Sequence, residues 1–408
     1  MTGASPSQAP MPTGNPRLEG LTDYPFTRLA ALLAGVPPRA NLEPLSLAVG
    51  EPQHTPPALL TAALQANAHL WGRYPPVAGT PEFRAAVADW LERRYALPAG
   101  FVDRETGILP VAGTREALFQ LPLLTVPEHR AGRRPAVLIP NPFYAVYEGA
   151  AAMAGAEPVF LPAFADTGFL PDLDALPPDL LERTALFYLC TPANPQGAVA
   201  DLDYLRKALA LARAYDFVLA VDECYAEIWD RAAPPGALEA ARETGSTAGL
   251  VVLHSLSKRS SAAGLRSGFI AGDPQLLQRF ARLRSYSCAG TPLPALAAAT
   301  ALWRDETHVE ENRRLYRAKV DAADSVLAGR FGFYRPPGGF FLWLDVGDGE
   351  AAARTLWQEA AIRVVPGAYL SRPDADGRNR GRPYVRVALV HDAETVARAC
   401  ERIVRLLG

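Results

Sequence analysis

One lysine in this chain stands in a sequence context that suits covalent chemistry. Lys258 lies in the run Ser255-Leu256-Ser257-Lys258, directly after the apolar segment Leu250–Leu253, and Arg266 follows eight residues later. A lysine amine can form an imine with an aldehyde, and an arginine is a good partner for a phosphate. An aldehyde that carries a phosphate is pyridoxal 5′-phosphate, and the two residues together predict a site for it. The tetrapeptide alone does not establish this, because most lysines are solvated and short motifs recur by chance.

Three other apolar runs are followed by residues that could serve the same cofactor. The segment Ala112-Gly113-Thr114-Arg115 offers free backbone N–H groups and a hydroxyl to a phosphate, although an ordinary helix N-cap has the same pattern. In Asn141-Pro142-Phe143-Tyr144, the Tyr144 ring could stack on a flat cofactor or simply pack in the core. In Thr191-Pro192-Ala193-Asn194-Pro195, two prolines could hold Asn194 rigidly or form a plain turn.

Two charged residues lie within or at the end of apolar segments. Asp222 follows the run Phe217–Val221, and a buried carboxylate is costly unless it is paired. A pyridinium N–H is a suitable partner, and a helix N-cap is the alternative. Arg386 lies inside the alternating segment Tyr384–Ala388, where its charge needs an anionic partner, either a ligand or an acidic side chain.

These residues follow strands in the predicted organisation of the chain. Short apolar runs alternate with longer helical patterns, which predicts an α/β fold with one large, mostly parallel, seven-stranded sheet covered by helices on both faces. Ligands bind such sheets outside the carboxyl ends of the strands. The seven predicted strands are Gly107–Val111, Ala136–Pro140, Pro158–Leu161, Ala185–Cys190, Phe217–Val221, Leu250–His254 and Gly268–Ala271.

After about residue 290 the pattern changes to that of a smaller α+β unit. Leu296 to Leu327 reads as helix broken near Asp305, and short strands follow at Phe340–Val346, Arg363–Val365 and Tyr384–Leu389. We therefore predict four parts: a disordered tail (1–17), an N-terminal segment that packs with the small domain (18–57), a large cofactor-binding domain (58–300) and a small C-terminal domain (301–408).

Composition excludes several classes of function. The 408 residues are 49% apolar, enough for a sizeable core, and the net charge of −2 gives no basic footprint for nucleic acid. We expect no membrane partner, since no apolar run reaches spanning length and no leader is visible. The four cysteines are scattered and predict reduced thiols in the cytoplasm, and the dispersed histidines predict no metal site.

Taken together and in this order, the motifs resemble the class I/II aminotransferases of pyridoxal-phosphate fold type I. The resemblance runs from Gly50-Glu51-Pro52 to Arg386, with one departure at Ser267, where that family usually has an apolar residue. Within the family, four runs look like the succinyldiaminopimelate transaminase branch: Tyr24-Pro25-Phe26, Leu45 to Pro52, Asn141 to Ala150, and Ser255 to Ser260.

The resemblance implies roles for the individual residues. Lys258 would bind the cofactor and move the substrate α-proton, Asp222 would pair with the pyridine nitrogen, and Asn194 and Tyr225 would bond the ring oxygen. Tyr144 would stack on the ring. The phosphate and its surroundings would be held by Gly113, Thr114, Arg115, Ser255, Ser257 and Arg266.

The same resemblance implies how substrate and partner subunit take part. Arg386, Gly50 and Asn194 would bind the substrate carboxylate. Tyr74 would reach the phosphate of the neighbouring subunit, so that a homodimer shares its active sites. For a distal carboxylate the sequence offers only candidates: Arg28, Arg73, Arg282 and Arg284.

The expected activity is transfer of an amino group between an amino acid and a 2-oxo acid, namely N-succinyl-LL-2,6-diaminopimelate with 2-oxoglutarate in lysine biosynthesis. Two alternatives stay open: another class I transaminase, for aspartate, alanine or aromatic substrates, and a C–S lyase of the same fold. A non-catalytic regulator is disfavoured because residues 1–17 are too short for a DNA-binding domain. A dinucleotide site is disfavoured because no GxGxxG follows an early strand.

Overall fold

The computed structural model describes residues 14–408 of the chain. Most of the predicted disordered tail, residues 1–17, lies outside this range. At its C-terminal end, Pro16 and Arg17 belong to a short helix, and the disorder of the tail stays a prediction. The Asn15 side chain caps this helix, and the Arg17 guanidinium donates to the carbonyl of Met153 at 2.9 Å.

The described residues form fifteen α-helices. They are α1 (Pro16–Glu19), α2 (Pro25–Leu33), α3 (Ala58–Ala66), α4 (Pro81–Arg94), α5 (Thr114–Thr125), α6 (Ala145–Met153), α7 (Pro178–Arg183), α8 (Leu202–Ala214), α9 (Ala237–Arg242), α10 (Leu256–Arg259), α11 (Pro274–Ser287), α12 (Leu293–Arg304), α13 (Thr307–Leu327), α14 (Gly349–Ala360) and α15 (Ala393–Leu407).

Twelve strands accompany them. They are β1 (Leu45–Ser46), β2 (Ile108–Val111), β3 (Ala136–Asn141), β4 (Glu157–Pro162), β5 (Thr184–Cys190), β6 (Val218–Asp222), β7 (Leu250–Ser255), β8 (Gly268–Gly272), β9 (Phe341–Asp345), β10 (Ile362–Arg363), β11 (Val365–Pro366) and β12 (Tyr384–Ala388).

The large sheet contains all seven strands that the apolar runs predict. Its order is β2-β8-β7-β6-β5-β3-β4, and β8 is antiparallel to both of its neighbours while the other pairs are parallel. The mostly parallel seven-stranded sheet is therefore confirmed.

Helices cover this sheet on both faces, which explains why its strands are apolar throughout. In β5, Leu186 and Tyr188 pack in a cluster with α5, α6 and α11, while Phe187 and Leu189 pack in another cluster with α4, α8, α9 and α12. Successive side chains of a strand point to opposite faces, so a strand in such a sheet must be apolar at every position.

The geometry of the sheet brings distant parts of the chain to one edge. Strands β3, β5, β6 and β7 are parallel, and β2 points the same way because it and β7 both oppose β8. The residues that end these five strands therefore share an edge with the residues that precede β8. These residues are Val111, Asn141, Cys190, Asp222, Ser255 and, before β8, Arg266.

The smaller part of the fold contains a three-stranded antiparallel sheet, β11-β12-β9, and a two-stranded parallel pair, β1-β10. The helix predicted from Leu296 to Leu327 is indeed interrupted near Asp305, between α12 and α13. The single strand predicted at Arg363–Val365 is instead two short strands in different sheets. Only Val364 separates them, and it turns the chain from one sheet to the other.

The segment before the large sheet contacts the smaller part. Leu45 pairs with Ile362, Leu29 and Leu33 of α2 pack with Trp343 and Trp357, and the Trp357 indole donates to the Val36 carbonyl at 2.8 Å. These contacts support packing of residues 18–57 with the small domain, while the domain boundaries stay a prediction.

Two properties of the described residues bear on the function classes. Among the helices of residues 14–408, none combines the length and the apolar character that crossing a bilayer requires. Within the same residues, no group of three or more His, Cys, Asp or Glu side chains is arranged to hold a metal ion.

A close backbone approach at Gly268 yields a first prediction. A Cβ atom at this position would lie 2.4 Å from the His254 carbonyl oxygen, so Gly268→Ala must push β8 away from β7. We expect the variant to lose about 1–3 kcal/mol of unfolding free energy in urea titrations. Gly149→Ala is the control, since nothing lies within 4 Å of its Cβ and it should change stability by less than about 1 kcal/mol. Equal stability of the two variants would contradict the predicted strand clash.

Candidate active site

A cavity of about 610 Å³ opens at the carboxyl edge of the large sheet. The structure brings almost every predicted site residue to its wall. These residues are Gly50, Gly113, Thr114, Arg115, Tyr144, Asn194, Asp222, Tyr225, Ser255, Ser257, Lys258, Arg266 and Arg386. Of the predicted set, Tyr74 alone is elsewhere.

Lys258 lies in α10, which begins directly after β7. The Ser255 hydroxyl caps this helix by accepting from the backbone N–H of Ser257 at 3.1 Å, which explains the spacing of the two serines. The Lys258 ammonium enters the cavity and donates to the Gly50 carbonyl. Burial is the main cause that lowers the pKa of Lys258 to about 8; the Arg386 and Arg266 cations act in the same direction, and Cys224 and Glu51 act against it.

Asp222 ends β6 and is only 4% exposed. Its carboxylate accepts from the Tyr147 hydroxyl at 3.0 Å and from the Cys224 backbone N–H at 3.3 Å. Burial raises the pKa of Asp222, and these two hydrogen bonds oppose the rise. A buried carboxylate with only neutral donors is suited to receive a further N–H from a ligand.

Arg386 projects from β12 and is almost fully buried. It donates to Asn194 Oδ1 at 2.9 Å and to the Ala48 carbonyl at 2.6 Å, and its guanidinium lies 4.3 Å from the centre of the Phe341 ring. These partners are an amide oxygen and a backbone carbonyl, not the acidic side chain that the sequence left open. The Nε atom has no hydrogen-bond partner within residues 14–408, and burial lowers the pKa of Arg386 to about 10. A buried, uncompensated guanidinium beside a cavity is suited to bind a carboxylate.

The loop after β2 and the loop before β8 form a concave, positively charged corner. Gly113 has a φ of +81°, and a Cβ there would lie 2.5 Å from Arg266 Nη2, so this position requires glycine. Arg266 donates to the carbonyls of Ala263 and Ala112, each at 3.0 Å. The corner also contains the first residue of α5, Thr114, and the hydroxyl of Ser255. Helix N-termini and a guanidinium together favour an anion such as phosphate.

Aromatic side chains form the remaining wall. The Tyr144 hydroxyl accepts from Arg115 Nε at 2.5 Å, and its ring stands edge-on to Tyr147. Tyr225 is buried against Phe340 and Phe341, and the centre of its ring is 6.0 Å from Lys258 Nζ. Both tyrosines thus border the space into which Lys258 projects.

Tyr74 lies away from this cavity and its side chain is 100% exposed. Trp71 and Tyr286 are also large and exposed, at 59% and 88%. The described residues of the same chain therefore cover no part of the Tyr74 side chain.

Several residues of the cavity were not predicted as site residues. Tyr147 hydrogen-bonds Asp222, and its helical spacing of three from Tyr144 was an available signal. Tyr24, Glu51 and Phe341 also line the cavity, but no local pattern reveals that these distant segments meet. The four arginines considered for a distal carboxylate do not line it, and Arg284 is instead buried in an ion pair with Glu116 at 2.8 Å.

Comparisons with known proteins agree with this geometry. The family model for aminotransferase class I and II matches residues 43–403. The LL-diaminopimelate aminotransferase of Syntrophobacter fumaroxidans is 32% identical, covering 96% of this chain and 98% of that protein.

Solved structures show the same likeness. A crystal structure of an aminotransferase from Neisseria meningitidis is 43% identical with a TM-score of 0.91, covering 97% of this chain and 100% of that chain. A probable N-succinyldiaminopimelate aminotransferase from Thermus thermophilus is 27% identical with a TM-score of 0.81, covering 94% and 100%.

The lowered pKa of Lys258 can be tested directly. Only the neutral amine reacts with an acylating reagent, so a lower pKa makes Lys258 reactive at lower pH. In the cofactor-free folded chain we expect the reactivity of Lys258, followed by mass spectrometry, to have its midpoint near pH 8. The same peptide in the denatured chain should have its midpoint near the ordinary lysine value of about 10.4. Coincident midpoints for the folded and denatured chains would contradict the assignment.

Proposed function

Because this chain belongs to the class I and II aminotransferases, we propose that it transfers an amino group between N-succinyl-LL-2,6-diaminopimelate and 2-oxoglutarate in lysine biosynthesis. Its family makes the protein a pyridoxal 5′-phosphate-dependent aminotransferase of fold type I, with an amino acid and a 2-oxo acid as substrates. What we propose beyond the family is the identity of the substrate and the role of each residue. The observation that carries it is the uncompensated, buried guanidinium of Arg386 in the same cavity as Lys258.

The residues of the cavity fit the cofactor. The corner of Gly113 and Arg266 suits its phosphate, and a Cβ at Gly113 would fill that corner. Asp222 suits the ring nitrogen, since it is buried and accepts only from neutral donors. Asn194 and Tyr225 can donate to the ring oxygen, and Tyr144 borders the ring. When bound, the cofactor withdraws electrons from the substrate α-carbon and makes its proton acidic.

Lys258 is the residue suited to move that proton. A pKa of about 8 leaves part of the Lys258 population neutral near neutral pH, as a general base requires. Its neutral amine would accept the proton from the substrate α-carbon and then donate it to C4′ of the cofactor. The Asp222 carboxylate, held by Tyr147, would keep the ring nitrogen protonated. Tyr225 would support the same step by hydrogen-bonding the ring oxygen.

Arg386 supports recognition of the α-carboxylate that all amino-acid substrates share. Each Nη donates one N–H to Asn194 or Ala48 and keeps a second N–H, so the two Nη groups can together form a bidentate pair with a carboxylate. Gly50 lies in the same wall and presents backbone to the ligand. This clamp would fix the α-carbon near Lys258.

The surroundings of Arg115 in the cavity wall support the succinylated compound as the substrate. Arg115 lines the cavity, is exposed, and has only the hydroxyls of Tyr144 and Tyr24 as side-chain partners. Since no carboxylate among residues 14–408 pairs with it, Arg115 can receive one from a ligand, and a succinyl group supplies a carboxylate without a distal cation. We therefore assign the distal carboxylate to Arg115, in addition to its predicted place beside the cofactor.

A second candidate substrate is free LL-diaminopimelate. The curated relative from Syntrophobacter fumaroxidans has that name, and Glu51 in the cavity wall could accept from a distal ammonium. The two substrates differ in the charge of the distal nitrogen, which is cationic in the free compound and an uncharged amide in the succinylated one.

We also propose a homodimer with shared active sites and a cytoplasmic location. The exposed Tyr74 supports the dimer, because a side chain without neighbours in its own chain is available to a partner's phosphate site. An apolar groove of about 540 Å³ between Trp71 and Arg266 lies close by and could seat the partner subunit. The four free cysteines suit a reducing compartment.

The substrate is tested by half-reactions that follow the visible absorbance of the purified holoenzyme. With N-succinyl-LL-2,6-diaminopimelate we expect the absorbance of the oxidised cofactor to fall and 2-oxoglutarate to restore it. Free LL-diaminopimelate should react at least about ten-fold more slowly at equal concentration, since it places an ammonium near Arg115. Faster reaction with the free compound would assign the second substrate. Reaction with glutamate but neither compound would leave an aminotransferase of another specificity.

The role of Arg115 follows from the same analysis. Arg115→Met should raise the KM for the succinylated substrate by about ten-fold or more and leave the KM for alanine within about two-fold. Arg282→Met removes an exposed arginine outside the cavity and should change neither constant. Equal KM increases for both substrates would indicate a cofactor role for Arg115 in place of substrate recognition.

A further inference from the structure

The helix that carries Lys258 is too short to fix its own position. α10 has four residues, so its orientation depends on groups outside it. Arg259 provides one attachment, since it is buried and donates to the Leu302 carbonyl at 2.7 Å and to Glu306 at 2.6 Å. This attachment ties the end of α10 to the junction of α12 and α13.

Asn312 of α13 provides a second attachment, to the backbone of the lysine itself. Its side-chain amide donates to the carbonyls of Lys258 at 3.0 Å and of Arg259 at 3.2 Å. Carbonyls in the last turn of a helix have no partner within the helix, and a side-chain donor can satisfy them. Asn312 Oδ1 accepts from the Ser261 hydroxyl at 3.1 Å, and the side chain is buried.

The same oxygen connects α10 to the N-terminal segment. His54 Nδ1 lies 2.7 Å from Asn312 Oδ1. An amide oxygen can only accept, so the hydrogen bond requires the proton on Nδ1 of His54. Burial lowers the pKa of His54, which favours this neutral form, and its ring packs 4.7 Å from the ring of Tyr316.

These contacts form a hydrogen-bond network that meets Lys258 at both its backbone and its ammonium group. The Gly50 carbonyl accepts from the Lys258 ammonium, and His54 follows Gly50 by four residues. Asn312 therefore holds the backbone of Lys258 and, through His54, the segment that meets the other end of the same side chain. Asn312 does not line the cavity, so it can act on a substrate only through Lys258.

We infer that Asn312 is a positioning residue, which holds the Lys258 backbone in register with the Gly50 segment and thereby directs Nζ at the reacting carbon. The inference rests on the proposed role of Lys258 as the base. It predicts that loss of Asn312 affects proton transfer and the environment of the lysine nitrogen more than it affects substrate binding, because Arg386 and Asn194 keep their contacts.

The test compares full-length holoenzymes with Asn312→Ala, His54→Phe and Asn379→Ala. Asn379 is the matched control. Its amide donates to the carbonyls of Ala368 and Ser371, and its oxygen accepts from the Ser371 hydroxyl, but this network does not reach Lys258. His54→Phe keeps an aromatic ring against Tyr316 and removes only the bond to Asn312.

Four quantities are measured for each variant: kcat, the KM for glutamate, the pH midpoint of the visible absorbance and the thermal stability. For Asn312→Ala we expect kcat with glutamate and 2-oxoglutarate to fall about ten-fold, with the KM for glutamate within about two-fold. The pH midpoint of the visible absorbance, which reports the protonation of the lysine nitrogen, should shift by about half a unit or more. His54→Phe should show smaller changes of the same kind. Asn379→Ala should lose as much thermal stability as Asn312→Ala. Its kcat, its KM for glutamate and its absorbance midpoint should match those of the wild type.

The outcomes separate this inference from the proposed function. If Asn312→Ala loses stability but keeps the wild-type kcat and absorbance midpoint, Asn312 is structural only and the inference is overturned. If Asn312→Ala does not fold, the His54→Phe variant decides. A wild-type kcat and a wild-type absorbance midpoint in His54→Phe would overturn the inference. A wild-type holoenzyme that transaminates no amino acid would instead defeat the proposed function.

Discussion

The burial of an ammonium group that forms no ion pair with any carboxylate of residues 14–408 is the constraint on which this structure depends. Lys258 meets a backbone carbonyl at Gly50 and shares its cavity with the Arg266 and Arg386 cations. Burial and like charges both favour the neutral amine, which is the form that can attack a carbonyl carbon or accept a proton. Such an arrangement weakens the fold locally, since three cations are partly or wholly removed from water.

The architecture of the large sheet makes this arrangement possible. Parallel strands end at one edge, and the loops that follow them can be irregular because the strands behind them are buried and rigid. Two cations of the cavity are held by backbone carbonyls or amide oxygens: Arg266 by Ala112 and Ala263, and Arg386 by Ala48 and Asn194. Neutral partners orient the cations without cancelling their charge, so the charge remains available to anionic ligands.

Much of the fold and of the candidate site could be predicted from the sequence. The features that could not be predicted share one cause. Apolar runs revealed all seven strands, and the strand ends revealed Asp222, Asn194 and Lys258, because in a parallel sheet local position determines which edge a residue reaches. The antiparallel direction of β8 and the division at Val364 depend on pairing partners and have no local signature.

Some side chains that line the cavity could likewise be predicted from the sequence, and others could not. Tyr147 could have been found from its helical spacing to Tyr144. Tyr24 and Phe341 could not, since residues 24, 144 and 341 meet only in the folded chain. The arginines proposed for a distal carboxylate were chosen by residue type alone, and Arg284 shows the weakness of that choice, because its charge is already neutralised by Glu116.

The division at Val364 has a mechanical consequence. Ile362 pairs with Leu45, in the strand that leads to Gly50, and Val365 pairs with Arg386. One residue separates these two pairings, and the Ala388 backbone N–H also donates to the Leu47 carbonyl at 2.8 Å. The two groups proposed to bind a substrate carboxylate, Gly50 and Arg386, therefore belong to one connected set of strands, separate from the segment β7–α10 that carries the lysine. A rotation of these strands against the large sheet would change the distances from Arg386 to Lys258 and to Asn194, since Asn194 follows β5 of that sheet.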